Sequence, residues 1–284
     1  MIRKLLSLFF VCIFSIQNLF AFGSKTHSAL TKYAMENDVL AKVSSYKYPR
    51  INSSGNEDII SVSDALIEYS NLPDNDERIG KGSYFYSHFF EPSEFKIEDL
   101  INPKMFDATR LSICGYLYDK EYWSIPDNAS VAAYMFFLEA LENFKSNSSD
   151  INKYLVSLGK AIHYMQDMCC IAHQKTWQKN LWDAVKLCHY AYEVKIDSFM
   201  KDNWNKFHII YAPAFDFNLS SSDNKEYASK IIENCINLFV MPIYQTGKSK
   251  AKDYGGEICF EEIEYAYFAT YYLIYAFFYK NAMV

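Results

Sequence analysis

Two histidine–carboxylate pairs at helical spacing constrain this chain more than any other feature. In His163-Tyr-Met-Gln-Asp167 and in His189-Tyr-Ala-Tyr-Glu193 the imidazole and the carboxylate stand four residues apart. On a helix that spacing puts both side chains on one face, about one turn apart. Imidazole nitrogen and carboxylate oxygen together form a donor set for zinc. One such pair reads equally well as a surface ion pair or a satisfied core histidine. Two pairs plus His173, in a chain with six histidines, read as a metal site.

The remaining sequence reads as helices around that site. Lys25 to Val43 is expected as a helix with His27, Leu30 and Ala34 on one face. Ser44 to Glu57 is polar and turn-rich, Ser61 to Ser70 a short helix, and Asn71 to Gly82 a loop by its Pro, Asp, Asn and Gly content. An aromatic stretch follows, from Tyr84 to Pro92, and then a helix over Asp107 to Tyr118. Asn128 or Ser130 can cap a long helix ending near Asn147, and Ser148 to Asp150 caps the helix of His163 and Asp167. Gly159 lies one turn before His163 on the same face, where a small residue lets other groups approach. Leu181 to Asn203, Lys225 to Val240 and Phe260 to Ala282 complete the helices, with a loop over Phe207 to Asn224. Strand-like alternation is never sustained. The expected fold is all-α: a single-domain multi-helix bundle.

Length and composition agree with that. A chain of 284 residues, half of them apolar, can build a sizeable core. The net charge of -6 and the absence of a basic run argue against a dedicated nucleic-acid-binding surface. Arg3 and Lys4 followed by the apolar run Leu5 to Ile16 read as a signal peptide, residues 1–21, cut after Ala21; a retained membrane anchor is the alternative. Location is then secreted or periplasmic, with no transmembrane segment after processing. Cys12 leaves with the signal. Cys114, Cys169, Cys170, Cys188, Cys235 and Cys259 remain, and an oxidising compartment permits disulfides among them. Cys169 and Cys170 are expected to pack or to form a disulfide, for example with Cys188; thiolate ligation is the alternative.

Further candidate ligands are His27, His88 and the aspartates of Pro73-Asp74-Asn75-Asp76. A cut before Phe22 places His27 sixth in the mature chain. It also frees an α-amino group whose ordinary pKa of about 8 allows it to ligate zinc. Only His208 then has no assigned place.

In this order along the chain, the pieces resemble the zinc-dependent bacterial phospholipases C, relatives of the single-strand-specific secreted nucleases. The resemblance rests on the start before Thr26-His27, on Pro73-Asp74, and on Ser87-His88-Phe-Phe-Glu-Pro92. It continues through Leu158-Gly-Lys-Ala-Ile-His163-Tyr-Met-Gln-Asp167 to His173, and His189-Tyr-Ala-Tyr-Glu193. It implies a cleft holding three zinc ions in a domain spanning residues 22–284. One zinc would be held by Asp74, His88, His163 and Asp167. Asp167 would bridge to a second, held also by His27 and by the backbone of Phe22. The third would be held by His173, His189 and Glu193. Phe85 matches one wall of the family's choline box, and Asn75 stands where its phosphatidylcholine-cleaving members have an aromatic. Phe22 replaces a usual tryptophan and Ile171 a usual proline. Asp76 stays a rival to Asp74. Some members carry a further C-terminal membrane-binding β-domain, which is not expected here after the helix at Phe260 to Ala282.

The expected activity is phospholipase C hydrolysis of a glycerophospholipid to diacylglycerol and a phosphorylated head group. Asp167 and Asp74 flank an activated water, with Asp74 either a plain ligand or an orienting base. The enzyme is expected to be a monomer that meets a phospholipid surface peripherally. Three divalent ions against Asp74, Asp167 and Glu193 leave a positive excess that suits a phosphodiester. Ser87-His88-Phe-Phe-Glu-Pro92 and the glutamate at 193 favour the phospholipases. A secreted single-strand nuclease or nucleotidase is the alternative, and a non-enzymatic zinc scaffold is the third reading.

Overall fold

The computed structural model describes residues 23–52, 54–75, 88–102, 128–174, 189–203, 221–250 and 260–283. Among these, helices dominate. They are α1 (Ser24–Met35), α2 (Val62–Tyr69), α3 (Ala129–Ser146), α4 (Ile151–Cys169), α5 (His189–Asn203), α6 (Asn224–Cys235), α7 (Met241–Lys250) and α8 (Phe260–Lys280). The all-helical expectation holds for the architecture.

Helix α4 is the axis. From Tyr154 to Cys169 it shows water little beyond Val156 and Lys160, because α2, α3 and α8 pack around it. An apolar set of Leu155, Leu158, Ile162, Met165 and Met168 buries against those neighbours. Each such side chain contributes roughly 1.5–3 kcal/mol when fully removed from water. That environment lets the same helix bury His163, Gln166 and Asp167, whose polar atoms must find partners inside the protein.

Local capping sets the helix starts where the sequence places them. The Asn128 side chain accepts from the amides of Ser130 and Val131, Asp150 from that of Lys153, and Ser61 from that of Asp64. Helix α1 has no capping side chain of its own. Asp197, on α5, caps it instead, accepting from the Thr26 amide at 3.0 Å and from the Thr26 hydroxyl at 2.6 Å. A Cβ on Gly23 would fall 2.1 Å from an Asp197 oxygen, so glycine is what allows this approach.

Several expectations need correction. The helix expected over Lys25 to Val43 ends at Met35, and a turn at Asp38–Leu40 and a short helix at Ala41–Ser44 follow it. The polar segment after α1 is not only turn: Lys47–Ile51 (β1) and Glu57–Ser61 (β2) pair as an antiparallel hairpin with Tyr48 opposite Ile60. Pro49 hides the strand signal, yet a two-stranded ribbon has only edges and tolerates it. The Asn52 side chain closes the turn through the amides of Ser54 and Asn56, and Gly55 takes a positive φ of 79°. The run beginning at Asn224 also passes its expected end at Val240. A π-helical stretch, Ile236–Val240, joins α6 to α7 just before Pro242, whose missing N–H such a stretch can accommodate. Cys169 and Cys235 are buried free thiols, so for Cys169 the packing reading holds and the disulfide reading does not. Cys114, Cys188 and Cys259, and the helix expected over Asp107 to Tyr118, lie outside the described residues.

Candidate metal centre

Four histidines and two aspartates from five segments, α4 among them, converge in one cluster. His27 comes from α1, Asp74 from the helical turn Leu72–Asn75 that follows α2, and His88 from the segment before Pro92. His163 and Asp167 come from α4, and His173 from the turn Ile171–His173 that follows it. All six are at least nine-tenths buried. Their donor atoms form three overlapping groups, each within 4.8 Å: His27, His163 and Asp167; Asp74, His88 and His163; His88, Asp167 and His173.

The outer nitrogen of three of these rings is held by the protein. His163 Nδ1 donates to the Ser70 carbonyl at 2.8 Å, and His173 Nδ1 to the His88 carbonyl at 2.8 Å. His27 Nδ1 donates to Gln166 Oε1 at 2.5 Å. The Gln166 amide is oriented in turn: its Nε2 donates to the hydroxyls of Thr31 at 3.2 Å and Thr270 at 3.0 Å. Each bond selects the tautomer with the lone pair on Nε2, the arrangement metal-ligating histidines use. The segments of His88 and His173 are also joined by backbone: the Phe90 amide donates to the His173 carbonyl at 3.0 Å, and Phe90 bridges Gln174.

Gly159 makes the His163 bond possible. A Cβ there would meet Tyr69 Cβ at 2.4 Å and the Tyr69 carbonyl carbon at 2.7 Å. The bare backbone of α4 therefore lets the Tyr69–Ser70 main chain close on it, one turn from His163.

Inside the cluster the separations suit ligands that share an ion. His163 Nε2 lies 3.2 Å from Asp167 Oδ2, 3.2 Å from His88 Nδ1 and 3.5 Å from Asp74 Oδ1. His27 Nε2 lies 3.4 Å from Asp167 Oδ1. Ligands at about 2.0–2.1 Å in a tetrahedron sit roughly 3.3 Å apart. The His27 and His163 rings stack at 4.1 Å, bringing both Nε2 atoms to the same side. Most telling is Asp74: both carboxylate oxygens are buried and, among the described residues, neither has a hydrogen-bond partner, nor has Asp167 Oδ1. A buried anion in that state is costly unless a cation answers it. The donor set therefore fits zinc.

The cluster also shifts the proton affinities of its own members. Burial alone would raise the Asp167 carboxyl, but His163, His88 and His173 around it hold it well below the usual carboxylate range. Asp74 is pushed up by burial, more than the neighbouring imidazoles bring it down. Burial lowers His163, helped by the positive charge of His27. Burial also acts to lower His27, but the adjacent Asp167, the charge of Asp74 and the bond to Gln166 outweigh it, and its net shift is upward.

Of the residues expected at the site, His27, Asp74, His88, His163, Asp167 and His173 are thus brought together. His189 and Glu193 begin helix α5, which packs against α1 and the His173 turn; their side chains, and that of Asn75, lie outside the described ones. Phe22, Asp76 and Phe85 lie outside the described residues. Ser70, Gln166, Thr270 and Asp197 were not expected to take part. Only Gln166 carried a signal, as an amide on a helix whose neighbours 163 and 167 were both candidate ligands.

A mainly helical fold with a buried His/Asp metal site built along one helix defines a class of metal-dependent proteins. The chain belongs to the zinc-dependent phospholipase C family, whose model matches residues 26–248. Among solved structures it is similar to the alpha-toxin of Clostridium perfringens from an avian strain, at 16% identity and a TM-score of 0.51 over 93% of this chain and 64% of that one. It is also similar to the alpha-toxin of Clostridium absonum, at 15% identity and a TM-score of 0.40 over 92% of this chain and 65% of that one. The chain thus spans less than two thirds of the length of either toxin, and the first likeness supports the fold. The sequence matches none of the curated proteins. Among the described residues, no helix is long and apolar enough to cross a membrane.

Proposed function

We propose that this protein is an exported zinc-dependent phospholipase C that hydrolyses a glycerophospholipid to diacylglycerol and a phosphorylated head group. Family membership supports the reaction class. The observation that carries the site is the Asp74 carboxylate, buried among histidines with neither oxygen hydrogen-bonded among the described residues. In this reading Asp74, His88, His163 and Asp167 hold one zinc. Asp167 and His27, with the freed amino group of Phe22, hold a second. His173, His189 and Glu193 hold a third.

Bound zinc would supply positive charge for the phosphodiester and lower the pKa of a nearby water into the neutral range. The protein's own part is positional. Ser70, Gln166 and the His88 carbonyl fix the His163, His27 and His173 rings. Asp167, held well below the usual carboxylate range by His163, His88 and His173, stays ionised and can orient a water. Asp74 is proposed to act beside it as a zinc ligand that helps to orient the water. Phe85 and Asn75 are proposed to meet the head group, and residues 1–21 to be the signal whose removal frees Phe22.

The processed protein should release phosphorylated head group from phosphatidylcholine vesicles in a zinc-dependent way, and leave single-stranded DNA intact. Nucleotide release with no lipid cleavage would assign it to the nucleases instead. N-terminal sequencing of the exported protein checks the Phe22 start.

A further inference from the structure

Glu262 stands in the first turn of α8, is fully buried and is not one of the six clustered ligands. Three donors meet its carboxyl. Oε1 accepts from the Ile171 amide at 2.8 Å, Oε2 accepts from the Tyr192 hydroxyl at 2.7 Å, and the Cys170 thiol also bonds to it. These donors belong to two different pieces of chain. Cys170 and Ile171 open the turn that presents His173, a turn with no capping side chain of its own. Tyr192 lies on α5 between His189 and Glu193. One carboxyl group therefore holds both pieces at once, which no apolar residue could do. Burying a carboxylate is unfavourable unless its oxygens are satisfied, and here each oxygen is spent on one of the two segments.

We propose that Glu262 is a positioning residue that locks the His173 turn to helix α5 and so assembles the zinc site shared by His173, His189 and Glu193. The proposal rests on that ligand reading. The apolar packing of α8 runs through other residues, among them Ile263, Ala266, Leu273, Ile274 and Phe277.

The test compares the zinc-loaded full chain with Tyr192→Phe, Glu262→Gln, Glu262→Ala and His173→Ala. Zinc per chain is measured by elemental mass spectrometry after dialysis against increasing chelator, with thermal unfolding alongside. Tyr192→Phe and Glu262→Ala should release one zinc at roughly 10- to 100-fold lower chelator strength, with the remaining zinc held as before. Glu262→Gln, whose amide oxygen still accepts from Ile171, should fall between them and the unchanged protein. If Glu262→Ala does not fold, Tyr192→Phe decides. Wild-type release by Tyr192→Phe, or equal loosening of every zinc, overturns the Glu262 role while His173→Ala still loses its ion. Full zinc content in His173→Ala overturns the ligand reading, and the role of Glu262 with it.

Discussion

The Nδ1–H of His163 donates to the main-chain carbonyl of Ser70 at 2.8 Å, and this bond turns Nε2 toward Asp167 and Asp74. The contact depends on Gly159, because any Cβ there would strike Tyr69. Gly159→Ala gains about 1 kcal/mol of helix propensity but overpacks a main-chain contact, which costs about 1–3 kcal/mol. The expected outcome is a net loss of stability together with weaker zinc binding. Urea unfolding and chelator competition measure the two. A variant as stable and as zinc-avid as the parent contradicts the link.

Gln166, three residues on from His163 along α4, governs His27 in the same manner. Gln166→Leu keeps the volume but removes the acceptor for His27 Nδ1 and leaves the Thr31 and Thr270 hydroxyls without the amide. Zinc affinity should fall about 10- to 100-fold, as for other residues that orient metal-ligating histidines. Isothermal titration of the metal-stripped protein with zinc reads this directly. Unchanged affinity would show that His27 needs no such support.

Asp74→Asn should act in opposite directions with and without metal. In the stripped protein near pH 8 the change removes a buried charge that has no hydrogen bond among the described residues, and stability should rise by about 1–3 kcal/mol. With zinc supplied, lipid hydrolysis should drop by at least roughly 100-fold, since a ligand is lost from the centre that activates water. Differential scanning calorimetry and a head-group release assay check the pair. Destabilisation in both states would make Asp74 a structural residue.

The Glu262 carboxyl is lifted by burial from its ordinary 4.5 to about 7, despite donors from Tyr192, Ile171 and Cys170 that favour the charged form. The folded state thus binds this proton more tightly than the unfolded chain. The resulting stabilisation is complete below about pH 4.5 and is lost as pH rises through about 7. Compared with Glu262→Gln, the stripped wild type should lose about 3 kcal/mol of stability between about pH 4 and pH 8. Urea titrations at several pH values measure the difference. A difference that stays flat with pH would place the carboxyl's pKa at its ordinary value.

What could be read from the sequence were features written into short stretches. The spacing of His163 and Asp167 needs only a helix to put both on one face, and the caps Asn128, Asp150 and Ser61 act within three residues of themselves. The order of the candidate ligands along the chain was enough to point to the family. The hairpin of β1 and β2 was missed because Pro49 obscures it and only Tyr48 of β1 is buried, so no alternation marks it.

The tertiary structure alone decided how those ligands are held. Ser70 meets His163 across 93 residues of chain, Gln166 meets His27 across 139, Glu262 meets Ile171 across 91 and Asp197 caps α1 across 171. Spacing can place a donor on a helix face, but it cannot name the distant acceptor that selects a tautomer or joins two segments. Such partners are chosen by which backbones pack together. In this protein that depends on α4 being buried on nearly every side and, at Gly159, on the absence of a single Cβ.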